Sequence, residues 1–383
     1  MGLRVRVSVA TFAIVILSVF GAGAQPAGAA TSGDVLTAQP VSVYLAPGRL
    51  LEVPVDAWKI LYRSTSATGA ANQVSGLLLV PKGSHHGTRP IIAYAIGTHG
   101  LGDQCAPSHQ MQRGTDAELA LISLLLARGW AVAVTDYEGL GTPGTHTYMA
   151  GISQGHAVLD SIRAAARVPG AGLSASAPVG IVGYSQGGAS AAWAAQLAPT
   201  YAPELRIRGV AAGGVPADLR RVAENLDGTA DFGLAAAAGV GLDAAYPELN
   251  LAGYLTPEGR TLLDAAKDDC LEDIKRALAG RRLADLTTAD VLALPAWQAR
   301  LAETRAGAVA PKVPVFLYHA DGDEIIPLSV GRTLRADWCA RGAKVLWTSL
   351  PAPSHVLGAV AGAPLAVQWL DNRMRNLPTL TNC

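Results

Sequence analysis

Six short apolar runs, at residues 91–96, 131–135, 179–182, 210–212, 313–319 and 345–349, alternate with segments of helical character at 116–128, 156–167, 188–197, 329–339 and 356–375. A strand that is apolar on both faces must be covered on both. A helix between two such strands returns the chain so that they run parallel. The fold is therefore expected to be α/β, with a mostly parallel central sheet and helices on both faces. Two earlier strands are read at 52–64 and 73–81, after a polar linker. The alternation stops at 219–311, where alanine, leucine and charged residues recur at helical spacing, most clearly at 257–278, with no strand signal. This stretch is read as an inserted helical cap over the C-terminal edge of the sheet. The plain alternative is a scaffold extension with no part in substrate access. The expected organisation is 1–30 export signal, 31–218 first part of the core, 219–311 cap and 312–383 second part of the core.

The export signal rests on Arg4 and Arg6 ahead of an apolar run at 8–22, followed by Ala22-Gly23-Ala24 and Ala27-Gly28-Ala29, both suited to cleavage. The run is shorter than the about 20 apolar residues of a membrane span, so secretion is expected and a stable span is not. The 383 residues are 50% hydrophobic, enough for a large core, and 30 basic residues balance 30 acidic ones. Zero net charge removes the electrostatic basis for attraction to nucleic acid or an anionic membrane. Cys105, Cys270, Cys339 and Cys383 all lie beyond the signal. An even count in an exported chain implies two disulfides, and spacing leaves all three pairings open.

Between the apolar run at 179–182 and the small-residue helix after it stands Gly183-Tyr184-Ser185-Gln186-Gly187. Strand, glycine-flanked serine and helix are what a nucleophile elbow requires: a turn so tight that only glycine fits beside the serine, with Oγ lifted above the sheet. A serine hydroxyl attacks only when a histidine takes its proton, and a carboxylate must hold that histidine in the right tautomer. In α/β-hydrolases the order along the chain is serine, acid, histidine. Here Asp321-Gly322-Asp323-Glu324-Ile325-Ile326-Pro327 follows one late strand and Pro353-Ser354-His355 follows the last. His355 is thus the expected base. Asp321, Asp323 and Glu324 compete as the acid; Asp323, next to the apolar anchor Ile325-Ile326-Pro327, is favoured, with Asp321 read as a turn-former bonded to nearby backbone N–H groups. His85 and His86 lie in a polar turn, and His146 and His156 read as surface groups or as supports to the site. The oxyanion hole is assigned to the amides of Gln186, at the start of the elbow helix, and Thr98, in Gly97-Thr98-His99-Gly100. Gly139-Leu140-Gly141-Thr142-Pro143-Gly144 fits a dinucleotide fingerprint. It is set aside because Pro143 has no N–H for a phosphate and no helix is read as opening there.

These stretches together resemble the secretory lipase family, the lipase A type of α/β-hydrolase, from about residue 62 to the C-terminus. The resemblance is carried by Gly97-Thr98, Gly102-Asp103-Gln104-Cys105-Ala106-Pro107-Ser108, Thr135-Asp136-Tyr137-Glu138-Gly139-Leu140-Gly141, the serine pentapeptide and Ala211-Ala212-Gly213-Gly214-Val215-Pro216-Ala217-Asp218. It implies an α/β-hydrolase core, a triad of Ser185, Asp323 and His355, a helical cap that binds acyl chains, and disulfides Cys105–Cys270 and Cys339–Cys383. One departure stands out: the family often has histidine before its glycine-threonine pair, where this chain has Ile96.

The function expected is a secreted serine carboxylic-ester hydrolase, a lipase or esterase acting through an acyl-enzyme on a small-molecule or lipid ester, with a lipid–water interface as a place of action and neither cofactor nor metal. The stretch 232–240 is a candidate lining for an acyl tunnel, with plain helix packing as the alternative. Rival readings are an acyltransferase or serine peptidase on the same triad, and a non-catalytic lipid-binding protein of hydrolase fold.

Overall fold

Residues 31–95 form strands before the first helix. The computed structural model describes residues 1–3 and 31–383; the expected export signal falls, beyond its first three residues, outside them. β1 (Val35–Val41) lies in the segment read as a linker, followed by the short pair β2 (Tyr44–Ala46) and β3 (Leu50–Glu52) and the long β4 (Val55–Thr65) and β5 (Ala71–Pro81). β1 pairs antiparallel with β4 and exposes Thr37, Gln39 and Pro40 to solvent, so its polar positions disguised it. The later apolar runs become β6 (Ile91–Ala95), β7 (Ala131–Tyr137), β8 (Pro178–Tyr184), β9 (Arg206–Gly213), β10 (Val315–Ala320) and β11 (Val345–Leu350). Every residue of β6, β7 and β10 is buried, as double coverage demands.

Among the described residues the main sheet has nine strands in the order β1-β4-β5-β7-β6-β8-β9-β10-β11. The last six of that order run parallel, while β1, β4, β5 and β7 pair antiparallel in succession. From β6 the chain passes to β7 on one side and returns to β8 on the other. The strand order therefore reverses between β6 and β8, and a crevice opens there at the C-terminal ends, where α/β sheets form their sites. The loop at 97–100 and Ser185 both emerge at that crevice.

Helices α1 (Pro107–Arg113), α2 (Leu119–Leu126), α3 (Gly151–Ala165), α4 (Gln186–Tyr201), α11 (Leu328–Ala340) and α12 (His355–Met374) belong to the core; α3 packs on α4, and α2 on α12. Residues 219–311 carry α5 (Leu219–Leu226), α6 (Phe232–Ala245), α7 (Pro257–Ala266), α8 (Leu271–Leu278), α9 (Leu283–Leu286) and α10 (Pro295–Glu303), and no strand of the sheet. The helical period read at 257–278 is broken at 267–270, which leaves α7 and α8 as separate helices. These helices gather around Phe232, Val240, Leu263, Ile274, Leu278 and Trp297, and their apolar cluster continues into Leu101, Tyr148, Met149 and Ala189 of the core.

Cys105 bonds to Cys270 and Cys339 to Cys383. Beside the first bridge, Leu101 N–H donates to Asp269 O at 3.0 Å and Leu271 N–H to His99 O at 2.9 Å. The turn between α7 and α8 is thereby stitched to the loop after β6. At the sheet's last edge, Asn382 bonds the N–H and C=O of Trp347 at 2.8 Å each, covering part of β11 as an edge strand requires.

The Cys105–Cys270 bridge closes a loop across a separation of 165 residues, long enough to restrict the unfolded chain strongly. Replacing both cysteines by serine is expected to remove about 2–5 kcal/mol of stability, measured as a lower thermal midpoint under non-reducing conditions. A midpoint equal to that of the parent would show that the hydrogen bonds at 99–102 hold the junction alone.

Candidate active site

Ser185 has φ 59° and ψ −123°, a left-handed conformation that costs a non-glycine residue of order 1–3 kcal/mol and persists only where its surroundings over-determine it. Those surroundings are specific. The Ser185 N–H donates to Gly213 O on β9 at 3.0 Å. A Cβ on Gly187 would lie 1.9 Å from Ala95 O on β6, and one on Gly183 would lie 2.3 Å from Gly187 O. The two flanking glycines let the first turn of α4 descend onto β6, which tips the serine side chain out of the sheet.

The loop after β10 and the start of α12 meet beside this turn. His355 Nδ1 lies 2.8 Å from Asp323 Oδ2; because a carboxylate only accepts, Nδ1 carries the proton and Nε2 keeps its lone pair. Among the described residues that is the only side-chain hydrogen bond of His355, so Nε2 is free to take a proton from a hydroxyl brought to it. Tyr184, next to Ser185, packs its ring 4.9 Å from the imidazole and donates its hydroxyl to His355 O at 2.8 Å. The Asp323 side chain is fully enclosed: Oδ1 accepts from the N–H groups of Ile325 and Ile326 at 3.1 and 2.8 Å, and His319 Nε2 stands 3.3 Å from Oδ2. Burial pushes this carboxyl up, but the hydrogen bonds from His319 and His355 and from the Ile326 N–H together hold it well below the usual carboxylate range.

The backbone bonds expected of Asp321 are made by Asp323 instead; Asp321 is exposed and its own N–H donates to Leu350 O. Glu324 accepts from the His355 N–H at 2.8 Å, fixing the first residue of α12. The role of His319 was not legible, since a histidine ending an apolar strand resembles any satisfied core residue. Its Nε2–H is directed at Ile326 O, 2.9 Å away, as well as at Asp323.

Thr98 follows β6 and Gln186 opens α4 after β8, on either side of the switch point. Neither backbone N–H has a hydrogen-bond partner among the described residues, so both amides are available to a developing negative charge. Around the loop at 97–99 lies a buried polar cluster. Gly97 N–H donates to Glu118 Oε1 at 2.9 Å and Tyr94 Oη to Glu118 Oε2 at 2.7 Å. His99 has Nδ1 at 3.0 Å from Gly97 O and Nε2 at 2.9 Å from Asp116 Oδ2. Two acceptors require two N–H donors, so His99 is an imidazolium; burial opposes the charge, but the bond and charge of Asp116 and the charge of Glu118 raise its pKa to about 9. Asp116 Oδ1 also accepts from Glu118 N–H and Leu119 N–H at 2.8 and 3.0 Å, capping α2. His146 is fully buried and His156 nearly so, so of the two readings, surface groups or supports to the site, the surface one fails for both; His156 stacks on Tyr201 at 3.9 Å. After Gly139-x-Gly141 no helix opens until α3 at Gly151. Among the described residues no three His, Cys, Asp or Glu side chains gather as a metal-binding group.

The sequence profile of the secretory lipase family matches residues 106–382, and the chain belongs to that family. A protein of Mycobacterium tuberculosis named as a probable inactive lipase is 33% identical, with 91% of this chain and 80% of that one covered. The secreted triacylglycerol lipase LIP7 of Malassezia globosa is 30% identical over 90% of this chain and 76% of its own length. In three dimensions the chain is similar to Candida antarctica lipase A in its closed state, with a TM-score of 0.83 at 24% identity, covering 92% of this chain and 85% of that one. It is also similar to the rice cell wall degrading esterase LipA of Xanthomonas oryzae, with a TM-score of 0.73 at 20% identity, covering 91% and 100%. The fold is that of the α/β-hydrolases, and the family makes the chain a hydrolase of the lipase and esterase kind.

The charge on His99 has a measurable consequence. A histidine held at about 9 in the folded protein and near 6.5 when unfolded stabilises fully below the unfolded value. That contribution fades as pH rises through the folded one. The gap in melting temperature between the parent protein and His99→Gln is therefore expected to be widest near pH 6 and to shrink steadily towards pH 9.5. A gap independent of pH would mean that the folded imidazole is neutral.

Proposed function

We propose that the chain is a secreted serine ester hydrolase, with Ser185 as nucleophile, His355 as general base and acid, Asp323 as its orienting carboxylate, and the Thr98 and Gln186 amides as the oxyanion hole. The observation that carries this reading is the 2.8 Å Asp323–His355 pair at the same sheet edge as a serine held at positive φ. In the reaction Ser185 Oγ attacks the ester carbonyl carbon while its proton passes to His355 Nε2. The oxyanion is received by the two amides, and collapse breaks the carbon–oxygen bond to the alcohol, which leaves with the proton from His355. Water, deprotonated by the same imidazole, then frees the acid and restores the serine. Asp323 stays ionised throughout, as its four hydrogen-bonding neighbours favour.

A cavity of about 620 Å³ inside the helical insertion, bordered by Phe232, Ala236, Gly239, Leu242, Leu263 and Trp297, suits an acyl chain. Ser185, Asp323 and His355 do not border it. Its wall residue Phe232 shares one apolar cluster with Tyr148 and Ala189, and the reading has the acyl chain run along that cluster into the cap. α12 offers Val356, Leu357 and Val360 to solvent at 65%, 49% and 54% exposure directly after His355, an apolar rim fitting a lipid–water interface. No helix of the described residues is long and apolar enough to cross a membrane. Export accords with the two disulfides and the family's secretory character.

The name of the Mycobacterium tuberculosis relative favours one second reading, a lipid-binding protein that has kept the fold without turnover. A serine-directed phosphonate separates the two. On the hydrolase reading it adds its mass to Ser185, and Ser185→Ala lowers hydrolysis of a p-nitrophenyl ester by about four orders of magnitude or more. Folded protein that takes no label and turns over no ester belongs to the binding reading. The cap cavity has its own test: Gly239 borders it and a Cβ there meets nothing closer than 3.9 Å, so a side chain can start from that position, and Gly239→Phe is the variant chosen to occupy the space. Hydrolysis of long-chain esters is expected to fall at least about tenfold relative to butyrate esters. An unchanged chain-length profile would remove the cavity from the acyl path.

A further inference from the structure

The segment between β7 and α3 has no role in the reaction as proposed, yet it touches both residues assigned to the oxyanion hole. Tyr148 Oη lies 2.9 Å from Thr98 Oγ1. His146 Nδ1 lies 2.8 Å from Glu138 O and its Nε2 lies 3.3 Å from the side-chain amide nitrogen of Gln186. A carbonyl only accepts, so Nδ1 carries the proton and Nε2 receives the hydrogen bond from the Gln186 amide. A third contact comes from Tyr137, whose hydroxyl donates at 2.9 Å to Ile96 O, immediately before Gly97. The rings of Tyr137, His146 and Tyr148 follow one another at centroid separations of 6.2 and 5.9 Å.

The backbone of this segment is strained at both ends. Tyr137 and Met149 adopt φ values of 68° and 65°, conformations that side-chain-bearing residues rarely take and that tend to cluster where function holds them. The segment is also closed from outside. On α6 a Cβ at Gly241 would lie 2.3 Å from Tyr148 O, so the cap helix rests directly on the backbone of Tyr148. Burial holds the pKa of His146 down to about 4, which keeps it neutral and its Nε2 an acceptor at any pH at which such an enzyme would be assayed.

We infer that residues 137–149 form a brace that sets the separation of the two oxyanion-hole amides, with Tyr148 positioning Thr98 and His146 positioning Gln186. This rests on the hydrolase reading above. Thr98 is gripped through its side chain by Tyr148 and through its neighbour Gly97 by Glu118, so the direction of its N–H is fixed before substrate arrives. Gln186 begins α4, and a grip on its side chain fixes the rotation of that first turn. Neither Tyr148 nor His146 touches the reacting atoms; both act through the residues they hold. A preorganised pair of donors favours the tetrahedral state over the planar ester, so loosening the brace should lower kcat and leave KM nearly unchanged.

The test is a double-mutant cycle on the full mature chain. Tyr148→Phe keeps the ring and removes only its hydroxyl. Thr98→Val keeps the branched shape and the amide and removes the other partner. Losing an oxyanion donor outright costs about 10²–10³ in kcat, and a displaced donor less, so each single variant is expected to lose about tenfold in kcat on a p-nitrophenyl ester, with KM within about twofold. The double variant should fall no further than either single, because the two share one hydrogen bond. Parental kcat in Tyr148→Phe, or losses that multiply in the double variant, would overturn the brace while leaving the hydrolase reading intact. If Tyr148→Phe does not fold, as judged by circular dichroism, Thr98→Val carries the test: a parental kcat overturns the brace, and a tenfold loss at constant KM upholds it. A parent protein that neither turns over esters nor reacts with phosphonate would overturn both.

Discussion

The carbonyl oxygen of Ala95 occupies the place that a Cβ of residue 187 would need, and most of the site geometry follows from that contact. It brings the first turn of α4 against β6, so the chain leaving β8 must reverse within one residue, and Ser185 takes up a positive φ. The sheet topology makes such an approach possible. β6 and β8 are neighbours in space, although β7 intervenes in sequence, and the crevice between their ends is left open by the reversal of strand order. The strain at Ser185 is borne by a frame of buried β-structure on both sides, including the Ser185 N–H bond to Gly213 on β9.

Around that frame, buried histidines exist in states set by their partners. His99 faces two acceptors and is a cation. His146 faces one acceptor and one donor and is neutral. Among the described residues His355 makes one side-chain hydrogen bond, to an acceptor, which leaves Nε2 its lone pair. Burial disfavours charge at His99 and at His146 alike; what separates these two is the count and kind of neighbouring atoms. The same logic explains Asp323, whose carboxylate is buried at little cost because two imidazoles and two backbone N–H groups surround it. A buried ion missing one of these partners would carry an uncompensated penalty of several kcal/mol.

Much of this was legible from residues alone, because each legible part is local. The elbow is written in five consecutive residues, the acid loop in seven, and the parallel sheet in the spacing of apolar runs. The hidden parts depend on contacts between distant segments. β1 reads as linker because its exposed positions carry Thr37, Gln39 and Pro40, and only pairing with β4 makes it a strand. The helical period at 257–278 conceals the break at 267–270, whose last residue, Cys270, bonds to Cys105 far back in the chain. Glu118 looks like the charged start of an apolar helix, and nothing nearby tells that it accepts the Gly97 N–H. The segment at 137–149 was considered for its glycines as a phosphate loop, whereas its aromatic residues and histidine are what meet the site.

The departure at Ile96 shows how such a site tolerates change. The family often carries a histidine there, and losing a polar anchor beside the Gly97-Thr98 pair would leave that loop loose if the loop fixed itself. It does not. Ile96 is fully buried and its carbonyl takes the Tyr137 hydroxyl, Gly97 is held by Glu118, and His99 binds back to Gly97 O and across to Asp116. One residue further, the His99 carbonyl accepts from Leu271 and the Leu101 N–H reaches Asp269, next to the disulfide that ties the helical insertion to the core. The loop is thus pinned by a core helix, by the segment after β7 and by the insertion, through independent hydrogen bonds each worth about 1 kcal/mol or more when charged. With that many constraints, the side chain at position 96 is free to serve the apolar core, and the geometry of the Thr98 amide belongs to the tertiary fold rather than to any one residue of the loop.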